Sequence, residues 1–327
     1  MVRVTFPTQM NDRQLNRLIA GVVAAIVLIV VAVGAIYVSD RWVDRGPTMA
    51  DRHIADLEAQ VQANPDAITA RLALVGAYVA ANRNTDALSQ LDQVIQASPD
   101  NKTALLARGD LLRQTGNVAG AIKDYTAIVD IMKGAEFAGQ DTELASAYYD
   151  LGMIAIEQNR PADAINFLGE ALKISPTDAD VLYQLGTAYL QSGSAAKAAD
   201  ALRNAVTFVP TGWCDPYVTL AQAYRGASNA PEAEWAGAMA DFCQSRPAVA
   251  KGRLTALLGG AAATDALVGL AMIAESENDR AAAADFYTRA LARDPQNFLA
   301  QSGLSRVATG TPAPVSSPSG SITDGRA

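Results

Sequence analysis

The chain has 327 residues, half of them Ala, Val, Ile, Leu, Met, Phe, Trp, Tyr or Cys, which is ample for a core. Its net charge is −8, and the first 52 residues carry six Arg and four Asp, which leaves −10 on the remainder. That balance argues against nucleic-acid binding and reads as a helical surface kept soluble by its charge.

Residues 1–17 form a polar N-terminal segment, with Asn11–Arg17 expected to be a helical lead-in. Leu18–Ser39 follows, 22 residues without a charge, bounded by Arg17 and Asp40. At the helical rise this stretch spans about 33 Å, enough for a hydrocarbon core of about 30 Å. It reads as one N-terminal transmembrane helix, with Tyr37 and Trp42 as interfacial aromatics at one end. A cleaved signal peptide, with Ala32-Val33-Gly34 as a small-x-small site, is the alternative; the apolar run continues past that site to Val38, which favours an uncleaved anchor. Three arginines stand on each side of the span, so loop charge does not orient it. Residues 40–48 form a linker broken at Gly46-Pro47.

Residues 49–308 carry an internal repeat. Leu151, Gly152, Ala164, Leu168, Ala171 and Pro176 recur 34 residues later as Leu185, Gly186, Ala198, Leu202, Ala205 and Pro210. A fixed period of this length marks a solenoid of helix–turn–helix units. The first small residue lets two helices approach closely; the second stands early in the following helix, and the proline ends the unit because it cannot continue a helix. Weaker copies flank these two. Upstream they run through Leu74, Tyr78, Ala87, Leu91 and Pro99, then Gly109, Leu112, Gly116, Ala121 and Tyr125. Downstream they run through Leu220, Ala221, Tyr224, Ala233 and Ala240, then Leu270, Ala271, Ala283, Tyr287, Ala290 and Pro295. The offsets imply about nine inserted residues near Met132–Thr142 and about 16 near Pro247–Ala261. Residues 49–64 read as a lone second helix before Pro65, and 296–308 as a capping helix. The tail 309–327, rich in Pro, Ser, Thr and Gly, is expected to be disordered.

This pattern resembles the tetratricopeptide repeat (TPR) family over about residues 49–308, and in particular single-span, membrane-anchored bacterial TPR proteins. The resemblance implies an all-α, right-handed superhelix (α-solenoid) of about six units plus a capping helix. In such repeats the first helix of each unit lines a concave groove. Carried over position by position, the groove comprises Leu106, Asp110 and Arg113; Tyr149, Met153 and Ile156; Tyr183, Thr187 and Leu190; and Val218, Gln222 and Arg225. Packing between neighbouring repeats is the competing role for these residues. The implied partners are other proteins, docking a helix or an extended segment in the groove, and a membrane through residues 18–39. The Lys/Asn/Arg set with which some relatives clamp a C-terminal carboxylate has no counterpart here.

Cys214 opens the first helix of its unit and Cys243 nearly closes the second, each 14 residues from the expected turn at Ser228–Asn229. Those ends are neighbours in an antiparallel hairpin, so one disulfide would close it if the loop Thr211–Pro216 bends inward. Such a bond points to an oxidising, extracytoplasmic compartment. Two buried thiols used as small apolar residues are the alternative.

Catalytic chemistry is hard to find. His53 is the single histidine, an exposed helix residue by position, and no nucleotide-binding or zinc motif occurs. Asp110, Glu157 and Glu275 are expected to face solvent. The sequence thus points to a non-enzyme without cofactor, metal or small-molecule substrate. Its expected role is a membrane-anchored scaffold with extracytoplasmic repeats and a cytoplasmic N-terminus, acting in assembly of an envelope or membrane complex. A stoichiometric accessory subunit of a large membrane complex, or a cytoplasmic-side adaptor recruiting soluble proteins, are the alternatives.

Overall fold

Six turns of the chain are built the same way. One residue in each adopts the left-handed conformation: Asn82, Gly116, Asn159, Gly193, Ser228 and Asn278. Their spacings of 34, 43, 34, 35 and 50 reproduce the offsets of the repeat. Such a residue ends a helix by turning the chain so that a downstream N–H reaches back to an orphan carbonyl. Asn117 N–H donates to the Leu112 carbonyl at 2.7 Å, and Arg160 to Ala155, Ser194 to Tyr189 and Asn229 to Tyr224 at 2.8 Å each.

Four other turns use proline instead. Ser98, Ser175, Val209 and Asp294 precede Pro99, Pro176, Pro210 and Pro295, and their ψ angles of 87°, 76°, 77° and 92° lie well outside the helical region. A following proline disfavours the helical conformation, so each second helix stops at that point. Asn101, Asp178 and Asn297 cap the helices that follow Pro99, Pro176 and Pro295 by accepting from backbone N–H groups, and Asp141 caps the helix Thr142–Glu157 in the same way.

A computed structural model describes the backbone of residues 12–42 and 48–311, and the side chains of 20–35, 37 and 48–311. The described residues are helical, with no strand among them. The chain divides after Asn82 into two compact bodies. The first contains α1 (Asp12–Trp42), α2 (Met49–Ala63) and α3 (Ile68–Ala80); α2 packs on α3 through Ile54, Leu57 and Val61, and the Tyr78 hydroxyl donates to Glu58.

The second body opens with α4 (Asn84–Ala97) and continues as helix pairs. These are α5 (Lys102–Gln114) with α6 (Val118–Met132), α7 (Thr142–Glu157) with α8 (Pro161–Ile174), α9 (Ala179–Gln191) with α10 (Ala195–Phe208), and α11 (Asp215–Gly226) with α12 (Ala230–Cys243). After α13 (Pro247–Ala256) come α14 (Ala263–Ser276) with α15 (Arg280–Arg293), and α16 (Phe298–Thr309). The shorter insertion is a loop with one 3₁₀ turn at Ala138–Gln140; the longer one holds α13.

The small residues have the expected steric cause. A Cβ on Gly152 would lie 2.7 Å from Leu168 Cγ, and one on Gly186 would lie 2.5 Å from Leu202 Cγ. Both are closer than carbon atoms can sit, so the leucine of the second helix fills the space a side chain would need. Ala87, Ala121, Ala164, Ala198 and Ala283 are fully buried. At Gly109 the facing residue is Tyr125 rather than leucine, at 2.6 Å from the same construction.

Three expectations are corrected. Among the described residues no helix is long and apolar enough to cross a membrane. The expected span lies within α1, whose ends carry Asp12, Arg13, Arg17, Asp40 and Arg41. The side chains of Leu18, Ile19, Ile36, Val38 and Ser39, at the ends of the expected span, lie outside those described. The single-pass membrane assignment, and with it the extracytoplasmic placement of the repeats, is withdrawn. Secondly, Asp110 and Glu275 do not face solvent: each accepts a hydrogen bond from a buried tyrosine, Tyr125 at 2.7 Å and Tyr287 respectively, and Glu275 also pairs with Arg306 at 3.0 Å. A tyrosine in place of the repeat's leucine carries a hydroxyl that must find a partner, and the first helix of the pair supplies it. Thirdly, α16 runs to Thr309, one residue into the expected tail; residues 312–327 lie outside the described residues.

Candidate functional site

Within the second body the first helices of successive pairs touch: α5 with α7, α7 with α9, and α9 with α11. The second helices have no comparable mutual contact. Closer spacing on one side of a stack marks its inner side, so α5, α7, α9 and α11 line the inner face of this body.

The twelve groove positions fall on those four helices. Leu106, Asp110 and Arg113 on α5, Tyr149, Met153 and Ile156 on α7, and Tyr183, Thr187 and Leu190 on α9 are half-buried; Val218, Gln222 and Arg225 on α11 are exposed. Their roles are mixed. Leu106, Tyr149, Ile156, Tyr183 and Leu190 also pack against the core. Tyr183 stands edge-on to Trp213 with ring centroids 4.9 Å apart, and the Thr187 hydroxyl donates to the Tyr183 carbonyl at 3.1 Å.

The structure joins α5 and α7 through charge. Arg113 lies 3.1 Å from Glu157 and 3.8 Å from Asp150, while Asp110 takes the Tyr125 hydroxyl. Three carboxylates therefore surround one guanidinium. The Asp150 side chain is only 14 % exposed. Burial, and then the neighbouring Asp110 charge, push its carboxyl up to about 7 against the pull of Arg113. Burial likewise raises Asp110. Tyr149, beside Asp150 in sequence, is pushed up to about 12 by burial and then by Asp180, so it remains a neutral phenol. Asp150 is the member of this patch that the sequence did not single out. Its position has no counterpart at Asp110 in the repeat register, and it becomes visible only when α5 and α7 are side by side.

Farther along, charge builds structure rather than a site. Arg203 of α10 pairs with Glu232 of α12 at 3.2 Å and with Asp265 of α14 at 2.5 Å, and lies 4.5 Å from the centre of the Trp235 ring. Asp241 is buried; burial alone would raise its pKa, but hydrogen bonds from Arg246 and Arg253 outweigh that and hold it below the ordinary carboxylate range. Cys214, just before α11, and Cys243, the last residue of α12, form a disulfide with Cα atoms 5.4 Å apart. His53 is an exposed residue of α2. Among the described residues no group of three or more His, Cys, Asp and Glu is placed to hold a metal ion.

Four family models, each described as a tetratricopeptide repeat, match residues 55–136, 102–177, 155–211 and 266–297. Together they cover more than half of the chain. The chain belongs to the tetratricopeptide repeat family. Solved structures of similar fold include the crystal structure of MamA protein, 24 % identical, with a TM-score of 0.48, covering 55 % of this chain and 93 % of that one. YrrB, described as a TPR protein with an unusual peptide-binding site, is 16 % identical, with a TM-score of 0.48, covering 59 % of this chain and 95 % of that one. The C-terminal part of a TPR repeat-containing protein from Cytophaga hutchinsonii is 19 % identical, with a TM-score of 0.47, covering 78 % of this chain and 94 % of that one. These likenesses concern the fold alone. No curated protein is significantly similar to this chain. A TPR fold suggests a protein–protein interaction scaffold, and arrays of this kind generally bind rather than catalyse.

Proposed function

We propose that this TPR array is a scaffold whose inner face, along α5, α7, α9 and α11, captures a protein segment carrying a basic residue among apolar ones. The observation that carries this reading is the patch at the α5–α7 junction. Asp110, Asp150 and Glu157 face a single Arg113, and Asp150 is held there at a cost in solvation. A lysine or arginine from a partner would complement the excess charge, most effectively where water is partly excluded. Tyr149 and Met153, on the same helix as Asp150, and Tyr183 on α9 offer half-buried surface for the partner's apolar side chains.

Selection of a displayed random-peptide library against the full chain tests this. Selected peptides should contain Lys or Arg flanked by apolar residues. Their affinity should fall about tenfold on Asp150→Asn, since one charge-assisted contact is worth about 1.5 kcal/mol or more, and should weaken with added salt. Selected peptides without a basic residue, or unaffected by Asp150→Asn, would refute the assignment.

A further inference from the structure

The extra helix α13 interrupts the stacking of pair on pair. Beyond it, α14 and α16 meet α11 and α12 across a gap, and a cavity of about 490 Å³ remains there. Its walls are Tyr217 of α11, Met239 and Phe242 of α12, Met272 of α14, and Leu299 and Val307 of α16. The Cys214–Cys243 disulfide forms one edge. A second cavity of about 240 Å³ shares Tyr217, Met239, Met272 and Leu299 with the first and is lined on its other side by polar groups that include Arg203, Asp265 and Asn297. The volume falls within the range of pre-formed small-molecule sites, about 300–1,000 Å³.

The polar groups on the rim are unequal. Glu275 is already satisfied by Arg306 and by the Tyr287 hydroxyl. Arg280, the first residue of α15, is exposed, and its guanidinium rests against Gly310, with Nη1 3.1 Å from where a Cβ would stand. No carboxylate among the described residues lies within ion-pair distance of it; the nearest in sequence, Asp279, caps α15 by accepting from Ala282 N–H at 3.0 Å. A positive side chain at a helix N-terminus adds to the positive end of the helix dipole. The site is thus an apolar pocket of small-molecule size with one uncompensated cation at its mouth.

We infer that this cavity binds a single-chain amphiphile with an anionic head, a medium-chain carboxylate, whose alkyl chain lies between Met239 and Met272 and whose carboxylate meets Arg280. The thioethers suit this, because methionine is flexible and adapts to an unbranched chain. The inference is independent of the groove on α5–α11 and concerns a ligand that is bound rather than converted.

The test uses the full chain with decanoate as the probe and decanol as the uncharged control, followed by calorimetry. Decanoate is expected to bind saturably at one site, and Arg280→Ala is expected to weaken it about fivefold, as for a partly exposed ion pair, while leaving decanol unchanged. A second readout locates the site without any variant. Ligand in the cavity restricts access to the disulfide edge, so saturating decanoate should slow reduction of Cys214–Cys243 by dithiothreitol. Three results would overturn the proposal: no saturable binding, binding that leaves the reduction rate unchanged (as expected if decanoate coats the exposed apolar residues of α1), or binding that is indifferent to Arg280→Ala.

Discussion

Asp150→Asn separates the electrostatic account of the inner face from a purely steric one. In the folded chain burial pushes the Asp150 carboxyl up to about 7, well above the ordinary carboxylate value of about 3.9. A folded-state pKa raised in this way means that the protonated form fits the fold better than the ionised form. The benefit is complete below the unfolded pKa and is lost as pH rises through about 7. At 1.36 kcal/mol per unit, the ionised side chain costs at most about 4 kcal/mol above neutral pH, less what water access at 14 % exposure returns. Asparagine keeps the shape and removes the charge. Urea unfolding of both chains at a series of pH values should therefore show the variant gaining on the natural chain between about pH 4 and pH 7, and a constant advantage above. Asp110→Asn should move that transition to lower pH, because the like charge helps to raise Asp150. A stability difference that does not change with pH would refute the reasoning, whatever its size.

Other consequences follow from the packing. Gly186→Ala puts a methyl group 2.5 Å from Leu202 Cγ, so equilibrium unfolding should show a loss of about 1–3 kcal/mol. Arg203→Met leaves Glu232 and Asp265 without their shared counter-charge and should cost about 2–3 kcal/mol, detected as a lowered urea midpoint. The disulfide links residues 29 apart, so the Cys214→Ser, Cys243→Ser double variant should lose about 3–4 kcal/mol by the same assay. Replacing Tyr149 and Tyr183 together by Ala should weaken peptide capture about thirtyfold or more if they are buried anchors, while circular dichroism shows a folded array.

The repeat was legible because its causes are local. A proline after the second helix and two small residues per unit are readable one at a time, and the small residues appear where their steric reason lies. The hairpin disulfide was legible for the same reason, as its partners are equidistant from a turn. What escaped depends on residues far apart in the chain. Arg203 and Asp265 are 62 positions apart, and no repeat offset connects them. The cavity lies between α11–α12 and the helices that follow α13, and the sequence showed the insertion without showing the space beside it. Asp110 and Glu275 were read as surface acids because helical period says which face a residue occupies, not whether a tyrosine hydroxyl from the partner helix reaches it. The apolar N-terminal run is the opposite case: composition suggested a membrane span, and among the described residues no helix is long and apolar enough to cross one.

The central claim, that partners dock on the inner face, is tested most directly by photo-crosslinking in the full chain. A photoreactive amino acid is placed either at Met153, on the inner-face helix α7, or at Lys173, on the outer helix α8, and each chain is illuminated with a bound, selected peptide. Cross-linking from position 153, reduced at sub-saturating peptide when Asp150→Asn is added, and none from position 173 is the predicted result; cross-linking from position 173, or from neither, would contradict the account.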